Sequence, residues 1–236
     1  MSVSLLGSPG LAGATELEGV RAEVRSRRQA GVWSPETFAR EQIRGLVQQV
    51  FFSNAVPPVR QVVFSAVESE TDVRTVCRQV GEALALETPG SVAVVGAYPQ
   101  LLQNAETHCE PVAETGDGST PLRTIATRVR ANLWLVPTQG KNGGSPTAAA
   151  LHSYLSEVRS EFEYSIVAGA PAGEANEAAA MAQFADGIIL VLSARNTRRV
   201  AARRVKETLE TTRARILGTV LSDRMFPVPE AIYRRL

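Results

Sequence analysis

The residues best placed for chemistry lie in Ser65-Ala-Val-Glu-Ser-Glu-Thr-Asp-Val-Arg74. They fall between an apolar run, Gln61-Val-Val-Phe64, and a helical pattern that reaches about Leu86. Strand, tight turn and helix in that order frame a phosphate-binding loop, where backbone N–H groups close around phosphates and a lysine sits beside them. This turn has no Gly and no Lys, and it carries Glu68, Glu70 and Asp72. Carboxylates at a helix start satisfy its free N–H groups and complement its dipole. Ser69-x-x-Asp72 has the spacing of a capping box. Two readings follow: the chain's own side chains fill an anion site, or the site takes an unusual ligand.

Other turns add little chemistry. Val92–Val95 is followed by Gly96-Ala97-Tyr98-Pro99, and Ser165–Val167 by Ala168-Gly-Ala-Pro-Ala-Gly173. Neither offers a Lys, an Asp to hold magnesium or a general base, and phosphoryl transfer depends on such positioning and charge neutralisation. His108-Cys109 is an adjacent pair with no second pair at metal-site spacing, so no metal is expected. Cys77 falls in a helical pattern and reads as core. Two cysteines in the whole chain fit a reducing compartment.

The elements that must position these residues are legible in the hydrophobic pattern. Trp33-Ser34-Pro35-Glu36 starts a helix, with Ser34 as N-cap and Pro35 in the first turn, running to about Phe52. Its apolar set is Phe38, Ile43, Leu46, Val47, Val50 and Phe51, so one face packs on something. Short apolar runs then recur at Val62–Phe64, Val92–Val95, Leu133–Val136, Tyr164–Val167, Gly187–Leu192 and Ile216–Leu221. Helical patterns lie between several of them, at 72–86, 147–160, 175–184 and 197–212. Strands buried on both faces that alternate with helices predict an α/β fold, a mostly parallel central sheet with helices on both faces. Domain organisation reads as 1–55, a mobile segment and helical arm, and 56–236, a single sheet domain. Ligands of such sheets bind beyond the carboxyl ends of the strands, where the turns above fall.

Charge is nearly balanced, with 25 basic and 24 acidic side chains, so no nucleic-acid partner is expected. Arg25, Arg27 and Arg28, and later Arg195, Arg198, Arg199, Arg203 and Arg204, cluster locally as solvated helix faces or as contacts for a membrane surface or acidic partner. No apolar stretch approaches the roughly 20 residues that span a bilayer. Residues 1–15 lack the features of a secretory signal. A cytoplasmic protein is expected, with any membrane association made through a partner.

The C-terminal half carries a resemblance. Phe162-Glu-Tyr-Ser-Ile-Val-Ala-Gly-Ala-Pro171, then Ala182-Gln-Phe-Ala-Asp-Gly-Ile-Ile-Leu-Val-Leu192, then Ile216-Leu-Gly-Thr-Val-Leu-Ser222 resemble the cytoplasmic P-loop domain of bacterial tyrosine kinases that regulate capsule and exopolysaccharide synthesis, relatives of the MinD/ParA ATPases. The likeness covers about residues 36–236 and is poor near 100–130. It implies a P-loop NTPase-like, Rossmann-like three-layer sandwich. It also implies where nucleotide-binding residues should stand. The first motif, similar to S-A-x-P-G-E-G-K-[ST]-T, keeps Ser65, Ala66 and Glu70. Its glycines fall on Ser69 and Thr71, its lysine on Asp72 and its magnesium-binding hydroxyl on Val73. A second acidic motif falls on Gly96 and Tyr98, and a third on Ala168. The family's E-x-x-R-x-x-R oligomer helix is matched by Glu41 and Arg44, with Val47 in place of the last arginine. An ordinary surface ion pair between Glu41 and Arg44 explains those two residues equally well. In place of a terminal tyrosine cluster the chain has Tyr233 alone.

An aspartate where a lysine belongs matters energetically. Two like unit charges about 4 Å apart repel by roughly 4 kcal/mol at an effective dielectric near 20, against the roughly 8 kcal/mol of a micromolar affinity. The resemblance therefore implies a degenerate, non-catalytic pseudo-kinase. Such a protein has a regulatory or scaffolding role in exopolysaccharide or capsule biosynthesis or export, and neither ATP nor magnesium as cofactor. Its expected partners are a membrane polysaccharide co-polymerase, a cognate active kinase, or itself. Two alternatives stay open: a diverged ATP-binding autokinase or ATPase that uses Lys141 or Arg74, and a ParA/MinD-like positioning protein.

Overall fold

The computed structural model describes residues 34–53, 56–96, 121–137 and 147–223. The segment 1–15, Arg25, Arg27, Arg28, Tyr98, His108-Cys109, Lys141 and Tyr233 lie outside the described residues. Contacts divide the chain into a compact unit, Arg40–Met225, and a smaller remainder, of which Ser34–Ala39 is described. In that short stretch the Ser34 hydroxyl accepts the Thr37 N–H at 3.1 Å, capping helix α1 (Pro35–Phe51) as the Ser-Pro pair predicts.

After α1 come β1 (Gln61–Ala66), α2 (Val73–Glu87), β2 (Val92–Val95), α3 (Leu122–Ile125), β3 (Thr127–Arg130) and β4 (Leu133–Val136). The chain goes on through α4 (Ala148–Glu161), β5 (Tyr164–Ala168), α5 (Glu177–Phe184), β6 (Gly187–Ser193), α6 (Arg199–Thr211) and β7 (Ile216–Ser222). Every apolar run named above is a strand. The seven strands form one sheet in the order β3-β4-β2-β5-β1-β6-β7, parallel except for β3 against β4. All residues of β1 and β2 are buried, as expected of strands covered on both faces.

One face of the sheet carries α2 and the C-terminal part of α1. Val73, Cys77, Val80 and Leu84 recur at helical spacing and are buried against Phe64 and Ile166. Val47, Val50 and Phe51 of α1 are buried in the same cluster, with Phe51 edge-on to Tyr164 at 5.9 Å. The opposite face carries α4, α5 and α6, through Leu155, Val158, Met181 and Leu209. Cys77 is fully buried, and burial pushes its thiol pKa well up, so it is core as expected.

Helix α3 and strand β3 have no counterpart in the sequence reading. Both are four residues long, too short for a periodic pattern to register. Glu161, the last residue of α4, supplies what α3 lacks: its carboxylate accepts the N–H groups of Leu122 and Arg123 at 2.6 and 2.9 Å. The Arg123 guanidinium lies 5.0 Å from the Trp134 ring and 5.1 Å from that of Phe162, and it donates to the Glu161 carbonyl.

Candidate functional site

The carboxyl ends of β1, β2 and β5 open into a cleft of about 400 Å³. Ser69, Thr71, Asp72 and Val73 of the β1–α2 turn line it with Gly96 after β2 and Ala168 at the end of β5. Every described member of the predicted set is therefore gathered at one place, although the set spans a hundred residues of sequence. The sheet order explains this: β5 lies between β1 and β2, so their ends are neighbours.

The turn reaches its shape without glycine because no residue from Val67 to Asp72 has a positive φ. Gly96, across the cleft, does, at φ 85°. The helix cap is not the predicted one. Asp72, not Ser69, is the N-cap of α2, and its partner is Thr75: the carboxylate accepts the Thr75 N–H at 3.1 Å and the Thr75 hydroxyl at 2.6 Å. The helix begins at Val73, so a cap at Ser69 would stand too far upstream to reach its free N–H groups. Burial alone would raise the Asp72 carboxyl pKa. Hydrogen bonds from the Thr75 hydroxyl and from the N–H groups of Thr75 and Arg74, with the Arg74 charge, outweigh it and hold the carboxyl below the ordinary aspartate value.

Ser69 has a different role. Its N–H donates to the Glu174 carboxylate at 3.0 Å. Glu174 ends a segment that lies along the turn. Gly169 N–H donates to the Phe64 carbonyl, Ala172 N–H to Ala66 and Gly173 N–H to Val67, at 2.8, 2.8 and 3.1 Å. The Ser65 hydroxyl donates to the Ala170 carbonyl at 2.6 Å. A Cβ on Gly173 would collide with the Val67 carbonyl oxygen, so this approach depends on glycine. On the outer side the Asn196 amide donates to the Glu70 carboxylate at 3.3 Å. Glu174 and Asn196 were missed by the sequence reading. No local pattern marks them, since each meets the turn from more than a hundred residues away.

The cleft is acidic on its turn side and small and apolar on its β5 side. Ala168, Gly169, Ala170 and Pro171 bring no ligating side chain; Arg74 is the one basic residue lining it. Among the described residues, no group of three or more His, Cys, Asp and Glu stands close enough to hold a metal ion.

Glu41 and Arg44 do not pair with each other as an i,i+3 couple. The Arg44 guanidinium bonds Glu87 at 2.7 Å, which ties α1 to the end of α2, and Gln48 bonds the same carboxylate at 3.0 Å. Burial decides the competition, since Glu87 is only 20% exposed and gains a partner that its position denies it in water. Glu41 is exposed. On α6, Arg203 and Lys206 pair with Glu207 and Glu210 at 3.9 and 3.3 Å, and the Arg-rich segment is largely a solvated face. No helix among the described residues is long and apolar enough to cross a membrane.

The Ala185-Asp186-Gly187 stretch is held for structural reasons. The Asp186 carboxylate accepts the N–H groups of Arg60 and Gln61 at 2.7 and 2.8 Å and pairs with Arg159 at 2.9 Å. It thereby fixes the start of β1 against β6 and the end of α4.

No family model matches the chain. Over 109 residues it is 28% identical to the tyrosine-protein kinase CpsD of Streptococcus agalactiae serotype III, a stretch covering 44% of this chain and 47% of that protein. The chain thus matches about half the length of its curated relatives. The fold superposes on the kinase domain of the Escherichia coli tyrosine kinase ETK with a TM-score of 0.59 at 13% identity, over 81% of this chain and 79% of that one. It superposes on the MinD cell division protein of Aquifex aeolicus with a TM-score of 0.53 at 16% identity, over 69% of each chain. The chain is related to the bacterial tyrosine kinases, and its sheet of mostly parallel strands between helices is the P-loop NTPase-like fold that their kinase domains share with MinD.

Proposed function

We propose that this chain is a non-catalytic member of the bacterial tyrosine kinase family, a pseudo-kinase with a regulatory or scaffolding role in exopolysaccharide or capsule biosynthesis. The observation that carries the reading is the Glu174 carboxylate on the Ser69 N–H, in the turn where a phosphate would need that donor. A phosphate oxygen there meets a carboxylate already in place. Asp72 adds a second negative charge where a P-loop lysine would neutralise the ligand, and Val73 and Ala168 bring no oxygen for magnesium. These residues do not fit a magnesium nucleotide. The fold then serves as a surface, and its partners are a membrane polysaccharide co-polymerase or an active kinase of the same family.

The test is a thermal-shift and calorimetric titration with Mg-ATP and Mg-ADP. Any ligand of the native state stabilises it, by about 2.7 kcal/mol at a hundred times its Kd. No shift at millimolar nucleotide is expected. A saturable shift that disappears in Arg74→Ala would instead establish a diverged nucleotide site.

A further inference from the structure

The two edges of the sheet are built differently. β3 is four residues long, exposes Arg128 and Arg130, and has an irregular register against β4. Short length, charge and irregularity are the usual guards against edge-to-edge pairing. β7 has none of the first two. It runs seven residues, Ile216-Leu-Gly-Thr-Val-Leu-Ser222, without a charge or a proline, and Leu221 is 56% exposed. Its one register irregularity lies at its beginning, opposite Ile188 and Ile189.

The outward backbone of β7 can be assigned. The Ser222 carbonyl accepts the Ala194 N–H and so points towards β6 and the loop after it. Alternation then turns the N–H and C=O groups of Thr219 and Leu221 outward. No described strand pairs with them.

The sequence of this edge is self-complementary. Arg215 precedes β7, Asp223 follows it, and both are exposed. Antiparallel pairing of two copies centred on Thr219 sets Leu217 opposite Leu221, Gly218 opposite Val220, and Arg215 opposite Asp223. In the same register Ile216 meets Ser222, and the other apolar residues meet one another. Arg215 and Asp223, just beyond the two ends of the strand, bring a cation near an anion with no like charges opposed. We propose that β7 is a homodimer edge: two copies of this chain join antiparallel about a two-fold axis at Thr219 and continue the sheet across the interface. The Thr219 pair exchanges both hydrogen bonds, and the outward groups of Leu221 carry the contact on to either side. The surface is separate from the cleft and from Arg44, and the proposal does not depend on whether nucleotide binds.

The experiment uses the full chain. Light scattering after size exclusion should give a dimer. Thr219→Lys, at an exposed position, opposes two ammonium groups at the axis and should weaken the dimer roughly tenfold or more, with the melting transition retained. Thr219→Cys in a Cys109→Ser background should form an intermolecular disulfide on mild oxidation. Hydrogen-bonded antiparallel pairs have Cα atoms about 5.5 Å apart, inside the roughly 4.4–6.8 Å range of disulfides, and Cys77 is buried. A monomer up to high micromolar concentration overturns the proposal. So does a dimer that Thr219→Lys leaves intact, or one that Arg44→Glu alone dissociates.

Discussion

At the scale of single residues, Asp72 joins two features that the sequence presents separately, a negative charge in the β1–α2 turn and a helix that needs a cap. Its carboxylate meets the Thr75 N–H and hydroxyl, so the charge is used by the helix itself. Asp72→Ala should cost about 1 kcal/mol, typical of a lost N-cap. The pH dependence has a definite sign. Asp72 is held below its ordinary pKa in the fold, so its contribution is fully present above the unfolded value, about 3.9. It is lost as pH falls through the lower folded value. Chemical denaturation of both proteins should show a gap at pH 7 that closes in strong acid. A gap that persists there would mean that the mutation acts by some route other than the carboxylate. Asp186 shows the complementary case. Its bonds to Arg60, Gln61 and Arg159 keep strands in register, a task that any protein of this fold must perform whatever its cleft does.

At the scale of elements, the β1–α2 turn and the segment after β5 act as a pair. Three backbone hydrogen bonds, the Ser65 hydroxyl and the Glu174 carboxylate join them. Because they close onto each other, the carbonyls of Phe64, Ala66 and Val67 and the N–H of Ser69 are directed at protein atoms. Gly173 permits the approach. Gly173→Ala should force the two apart and destabilise the protein by about 1–3 kcal/mol, the usual cost of overpacking. Amide exchange should speed up at Ser69, Ala172 and the residue-173 N–H before the rest of the sheet. Uniform exchange rates would show that the segments are not a local unit. The pairing was not legible in the chain. Ala168-Gly-Ala-Pro-Ala-Gly173 announces a turn by composition, but nothing in it states which backbone it will lie against. The same limit explains the mistaken cap. Ser69-x-x-Asp72 has capping spacing, yet spacing alone leaves the first helical residue undetermined.

At the scale of the whole molecule, the sheet domain begins before the Pro-Pro break at 57–58. Val47, Val50 and Phe51 sit in the same buried cluster as β1 and α2, and Arg44 is tied to Glu87. Phe51→Ala should therefore cost about 3–5 kcal/mol and lower a single cooperative transition. An unchanged main transition would instead make α1 an independent arm.

The hydrophobic pattern by itself determined most of the architecture. Six runs of apolar residues became six strands because strands covered on both faces carry near-continuous apolar sequence, and helices with one apolar stripe had to cover them. It also determined which residue types face the cleft, because turns at the carboxyl ends of parallel strands converge whatever their composition. Only the tertiary structure decided who bonds with whom. Glu174 reaches Ser69, Asn196 reaches Glu70 and Arg44 prefers Glu87 to Glu41. Each choice joins residues from separate elements, and none leaves a periodic trace. Composition and pattern record burial, which is local and repeated. Hydrogen-bond partnership depends on a few ångströms and on angles fixed when the sheet closes, and that geometry exists only in the folded chain.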